Sequence, residues 1–129
     1  MANVTQHLAP ASKPAGTYEE AVARLTALQA KDGPDVREDS RTRFWSQGRK
    51  VDHALVYYHG YTNAPPQFNI LGEELCKQGY NVVVPRLPYH GLKDPLTTEQ
   101  SRLKAEDMAT LTQETVDIAQ GLGNKVTIA

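Results

Sequence analysis

The run Ala54-Leu55-Val56-Tyr57-Tyr58 constrains this chain more than any other feature. From His53 to Tyr58 the residues are mostly β-formers and do not alternate strictly between apolar and polar. That is the pattern of a strand buried on both faces, as in a parallel sheet. Asn81-Val82-Val83-Val84 reads the same way and is stopped by Pro85. Between the two, residues 67–78 read as a helix with Phe68, Leu71 and Leu75 on one face, and Gly79 is placed to cap it. Two such strands joined by a helix form a βαβ unit with a right-handed crossover. The expected class is therefore α/β, a mostly parallel sheet with flanking helices.

The rest of the chain extends this unit. Residues 1–16 carry Pro10, Pro14 and Gly16 and read as a loose arm. Thr17-Tyr18-Glu19-Glu20 matches a capping box, and Tyr18, Val22, Leu25 and Leu28 recur at helical spacing, so a helix is expected over 17–31 with Gly33-Pro34 as its stop. Asp35 to Arg41 reads as a loop, Thr42 to Ser46 as a short strand and Gln47-Gly48 as a turn, with Phe44 and Trp45 as packing residues. Pro85 to Gln100 is a long proline-bearing loop, of the kind that is often functional in a compact domain. Thr97 or Thr98 is expected to cap a helix over 99–120, with Met108, Leu111, Ile118 and Leu122 on its buried side and Gly121 and Gly123 at its end. Lys125 to Ala129 begins a third strand. Residues 1–50 thus form an arm, helix and lead-in, and 51–129 the sheet. An apolar strand with no turn or polar tail after it leads us to expect a truncated chain, or one whose open edge at 125–129 pairs with a second copy or a complementing chain.

Composition narrows the partners. The 129 residues carry a formal net charge of −1 with no basic block, which argues against a nucleic-acid surface. Apolar runs are too short for a membrane span, and no basic-then-apolar leader opens the chain. Cys76 is the single cysteine, so no internal disulfide or zinc-finger spacing is available. The composition fits a soluble, cytoplasmic protein.

The chemistry concentrates at two loops. His59-Gly60-Tyr61-Thr62 directly follows the first strand, and Gly60 lets the backbone turn sharply there. Its N–H groups are expected outside the carboxyl edge of the sheet, where open α/β folds bind ligands and where fixed donors can stabilise a carbonyl oxygen gaining charge. Three stretches together resemble the N-terminal part of an α/β-hydrolase of the carboxylesterase and monoacylglycerol-lipase-like group, serine aminopeptidase-type relatives included. Val56-Tyr57-Tyr58-His59-Gly60-Tyr61-Thr62 is similar to that group's strand and His-Gly-Phe/Tyr-Thr loop. Gly79 to Gly91 is similar to its strand and Pro-Gly-His-Gly loop, with Tyr89 where glycine is usual. Gly123-Asn124-Lys125-Val126-Thr127-Ile128-Ala129 resembles the strand leading to the nucleophile elbow.

The resemblance covers about residues 51–129 and implies a partial α/β-hydrolase fold, with the first strand lying between the other two. It implies a serine hydrolase acting on a small-molecule acyl ester without a cofactor. The backbone N–H of Tyr61 would supply one oxyanion donor, and His59, Gly60, Thr62, Tyr89, His90 and Gly91 would line or support the site. The second donor and the Gly-x-Ser-x-Gly nucleophile would come just past the third strand. Ser12, Ser40, Ser46 and Ser101 are the serines present, none in that context. On its own the chain is therefore expected to be inactive, and a non-catalytic binding or assembly module is the alternative. His59 reads as a loop-fixing residue rather than a base, and His90 as a structural loop histidine. A His59/His90 metal pair lacks a third ligand at a convincing spacing. Tyr61 and Tyr89 are candidates for lining an acyl or alcohol pocket, with loop packing the other reading.

Overall fold

The computed structural model describes residues 11–37, 40–59, 69–90, 92–94 and 99–129. The elements are α1 (Tyr18–Ala30), β1 (Arg43–Trp45), β2 (Val51–Val56), α2 (Asn69–Lys77), β3 (Asn81–Val84), a 3₁₀ turn (Glu99–Arg102), α3 (Ala105–Leu122) and β4 (Gly123–Ile128). The strands form one sheet in the order β1-β3-β2-β4. β2 is parallel to β3 and to β4, and β1 joins the edge of β3 antiparallel. The class is α/β with a mostly parallel sheet, and β2 lies between β3 and β4 as expected.

β2 begins two residues earlier than the run of β-formers suggested. Its regular part ends at Val56, but the Tyr57 N–H donates to the Val83 carbonyl at 3.0 Å and the Tyr58 N–H to the Ala129 carbonyl at 2.9 Å. Pairing to both neighbours therefore continues to the end of the apolar run. β4 is longer than expected because α3 feeds into it without a connecting residue. Gly123 allows this close passage: a Cβ there would lie 2.4 Å from the Ala54 nitrogen of the neighbouring strand.

The two faces of the sheet are covered differently. On one, α1 and α3 pack over Ala54, Val56 and Val83, with Leu25, Leu111, Ile118 and Leu122 in the same buried cluster. On the other, α2 lies over Leu55, Val82 and Val84 with Trp45, Tyr57 and Leu75 around them. Tyr57 and Tyr58 thus point to opposite faces, as adjacent strand residues must.

Local chemistry accounts for the helices, with corrections to several expectations. Thr17 caps α1, its Oγ1 accepting from the Glu20 N–H at 3.1 Å, but the Glu20 carboxylate reaches back to the Gly16 N–H at 2.8 Å, one residue before the box position. The core-facing residues of α1 are Ala21, Leu25 and Leu28; Val22 is only half-buried, because α1 presents its smaller side chain, Ala21, to α3. The loose arm is in fact docked from residue 12 to 15. Buried Asp117 of α3 accepts from the Ser12 hydroxyl and the Lys13 N–H, each at 3.0 Å, and Ala15 is buried.

On α2 the expected Leu71 is 43% exposed, whereas Gly72 is buried and Leu75 packs on the sheet. The Trp45 ring explains this: it lies so close to Gly72 that a Cβ there would sit 2.6 Å away, so the helix turns its Gly72–Leu75 stripe inward. Phe68, the third residue of the expected face, lies outside the described residues. The helix expected over 99–120 is divided. A 3₁₀ turn precedes α3, which starts at Ala105, where the Asp107 carboxylate accepts from the Lys104 N–H at 2.9 Å. The proposed caps Thr97 and Thr98 lie outside the described residues. Gly121 sits inside α3 rather than ending it.

Candidate functional site

The connection from β2 leads to α2 on one face of the sheet, and that from β3 leads to α3 on the other. Adjacent strands whose connections diverge in this way leave a crevice at their carboxyl ends, the usual ligand position in open α/β sheets. His59 leaves β2 at this crevice and Leu87 to His90 leave β3. The structure brings these two segments together. The Leu87 N–H donates to Nε2 of buried His59 at 2.8 Å, and the His59 and His90 rings lie 5.3 Å apart. An imidazole nitrogen that accepts an N–H carries no proton, so His59 is neutral with its proton on Nδ1. Nε2 is thereby engaged in joining the two loops.

The β3 loop has a specific shape. The His90 N–H donates to the Leu87 carbonyl at 3.2 Å, Pro88 follows Leu87, and Tyr89 has φ of 64°. This is the pattern of a type II turn, with proline at its second position and a left-handed residue at its third. Glycine takes that third position freely, whereas tyrosine there is strained, by about 1–3 kcal/mol. The ring of Tyr89 lies under the Arg102 guanidinium, 5.6 Å from its centroid. His90 is buried, with Nδ1 2.8 Å from the Pro88 carbonyl.

Residues that the sequence reading passed over hold this turn. Arg86 donates from Nη1 to the carbonyls of Leu87, at 3.1 Å, and His90, at 2.7 Å. Its Nε donates to Oδ1 of buried Asp32 at 2.8 Å. The other Asp32 oxygen accepts from the Thr42 N–H at 2.8 Å, and the Thr42 hydroxyl accepts from the Arg86 N–H at 3.1 Å. Arg41 donates to the carbonyls of Asp32 and Gly33. A backbone bridge between Val36 and Leu92 and a 2.7 Å bond from the Lys93 N–H to the Asp35 carbonyl tie the same segments further along. The one available hint was a charged residue, Arg86, set between a buried strand and the apolar Leu87. Its partner Asp32 lies 54 positions away, a separation that no local pattern encodes.

Beside this turn lies a cleft of about 650 Å³ lined by Lys31, Arg86, Pro88, Tyr89, Leu92 and Lys93 among others, which is within the range of small-molecule sites. A smaller one of about 260 Å³, with Leu28, Thr42 and Leu111 in its wall, shares Arg86 and Pro88 with it. On the α1–α3 face, the Tyr58 hydroxyl bonds Thr115 of α3. Burial pushes the Tyr58 phenol above its ordinary value, against the opposing effect of hydrogen bonds from Thr115 and Thr112. Among the described residues no group of three His, Cys, Asp or Glu side chains is placed to hold a metal ion, and no helix is long and apolar enough to cross a membrane. Of the site residues singled out from sequence, His59, Tyr89 and His90 are brought together. Gly60, Tyr61, Thr62 and Gly91 lie outside the described residues.

Comparison with protein-family models, curated proteins and solved structures gives no match. The functional reading therefore rests on the residues and geometry at the carboxyl edge of β2 and β3.

Proposed function

We propose that this chain supplies the sheet start and one oxyanion donor of a serine acyl-hydrolase, an enzyme cleaving a small carboxylic ester through an acyl-enzyme. The observation that carries the reading is the Leu87–His90 turn. It adopts a left-handed backbone at Tyr89, the position where the Pro-Gly-His-Gly loop of the resembled group has glycine, and it is bonded to the histidine of the His-Gly loop. The order β3-β2-β4 supports the same reading, since that resemblance requires β2 in the middle. In this proposal the Tyr61 N–H donates to the carbonyl oxygen as a serine attacks, and a histidine carries the proton to the leaving alcohol. Water then releases the acyl group. The serine would follow β4 in a Gly-x-Ser-x-Gly elbow, a motif absent from these 129 residues. No cofactor takes part.

The test is to read the coding sequence past codon 129 and to treat the native gene product with a serine-directed fluorophosphonate. Labelling at a serine in an elbow just past Ala129 is the expected result. A product that carries no such serine and resists labelling would overturn the proposal. The 129-residue chain alone is expected to show no ester turnover above that of an unrelated protein.

A second reading is favoured by β4. Among the described residues it pairs with β2 alone, and Ile128 is 49% exposed. This edge would take up a strand from a second copy or a complementing chain by β-addition. A concentration-independent monomer mass in solution would exclude self-association.

A further inference from the structure

We propose that Asp32, working through Arg86, is a positioning residue for His59, and that its task is to hold the strained turn at Tyr89. The inference deepens the hydrolase reading of this site and rests on it for its functional meaning, but its geometry is independent of any reaction. Asp32 is buried at 5% exposure and accepts from Arg86 Nε and from the Thr42 N–H, each at 2.8 Å. The Thr42 bond fixes the carboxylate, the carboxylate orients the guanidinium through Nε, and Arg86 Nη1 then bonds the first and last carbonyls of the turn, Leu87 and His90. A planar, forked cation presents its donors to a carboxylate and two carbonyls in a fixed, spread-out geometry; an ammonium is a compact point of charge without that plane.

The turn needs such a clamp. Tyrosine at φ of 64° is an uncommon conformation that persists only where its surroundings over-determine it. With both ends of the turn held, the Leu87 N–H is directed at Nε2 of His59, the residue immediately before Gly60. A buried ion pair adds little net stability, because desolvation offsets most of its attraction. The geometry it imposes on the turn is the larger consequence. Asp32 and Thr42, which the sequence places in the lead-in, are therefore part of the site.

The experiment uses the 129-residue protein in solution, with the imidazole nitrogen signals of His59 and the exchange rate of the Leu87 amide as readouts. In Asp32→Asn, the Leu87 amide should exchange at least about tenfold faster, in line with loss of a hydrogen bond to a charged group, and the His59 Nε2 signal should move toward that of a nitrogen without an N–H donor. Arg86→Lys keeps the positive charge and should shift both signals in the same direction. The decisive variant is Tyr89→Gly, which removes the strain. If the clamp exists to hold a left-handed tyrosine, Asp32→Asn should have a much smaller effect in the Tyr89→Gly background, a coupling that a purely structural ion pair would not show.

Equal effects of Asp32→Asn in both backgrounds, or unchanged His59 and Leu87 signals, would overturn the proposal. Should Asp32→Asn fail to fold, recovery of the fold in the Tyr89→Gly background supports the clamp, and failure there as well overturns it. None of these readouts needs ester turnover. A negative result at His59 removes Asp32 from the site and leaves the hydrolase reading standing, whereas a gene product that resists fluorophosphonate removes that reading and leaves the Asp32–Arg86–His59 geometry intact.

Discussion

The two faces of the sheet differ in how they are built. Among the described residues, the face under α1 and α3 buries twelve in one cluster, and α1 and α3 also pack on each other. Among the described residues, the face under α2 buries three, and these are ringed by side chains that are only partly covered, Trp45, Tyr57, Leu75 and Tyr80. Both faces use the same strands, so the difference lies in what covers them. A cavity opened beneath two interlocked helices cannot close, whereas one beneath partly exposed aromatic rings can relax. The candidate site sits where these two environments meet, at the carboxyl ends of β2 and β3.

Val83 and Val82 test this contrast most directly, since they are neighbours in β3, equally buried and on opposite faces. Val83→Ala should cost about 3 kcal/mol and Val82→Ala about 1–2 kcal/mol by urea denaturation, the gap reporting how well each site collapses. Equal costs would break the comparison.

Gly121 and Gly72 sharpen it. A Cβ at Gly121 would lie 2.7 Å from the Thr17 carbonyl oxygen and 2.8 Å from the Cβ atoms of Ala15 and Ala21, none of which can swing aside. The atoms nearest to a Cβ at Gly72 belong to the ring of half-buried Trp45. Alanine in a helix gains up to about 1 kcal/mol over glycine, against an overpacking cost of about 1–3 kcal/mol. Gly121→Ala should therefore destabilise by about 1–2 kcal/mol, while Gly72→Ala should cost less, about 1 kcal/mol or below, because a side-chain ring can shift where backbone cannot, and should change the Trp45 fluorescence. A neutral Gly121→Ala would mean that α1 and α3 are not locked together.

The smallest effect concerns Tyr58, which hangs from the end of β2 into the α1–α3 face. Its folded-state pKa is raised by burial, so the protonated phenol is favoured by folding. That contribution is present below the unfolded value of about 10 and is lost as pH rises through the folded value. Tyr58→Phe should cost about 1 kcal/mol near neutral pH and should lose less stability than the parent as pH rises above about 10. Parallel losses in the two proteins would place the Tyr58 hydroxyl in water.

Much of the architecture was legible because it is local. Apolar runs marked β2, β3 and β4, Thr17 marked the start of α1, and Gly79, at φ of 103°, marked the end of α2. At the site, His59, Tyr89 and His90 stood out because histidines and tyrosines next to glycines in loops after buried strands are chemically conspicuous. Leu71 was misplaced because periodicity weighs every leucine alike, and only the flat ring of Trp45 makes glycine the residue that faces the sheet. The start of α3 was misplaced because the cap is supplied by Asp107 from within the helix rather than by a threonine before it. The docking of residues 12–15 was hidden because the arm looks featureless until Asp117 is set beside it.

The sequence by itself determined the alternation of strand and helix, the parallel class of the sheet and the two loops where chemistry would gather. These follow from backbone preferences and from apolar spacing within a few residues. Only the tertiary structure decided that Asp32 and Arg86 hold the Leu87–His90 turn and that Leu87 caps His59. Those bonds join residues 54 and 28 positions apart. Such bonds form only once the fold has brought these distant groups together and taken water away from them.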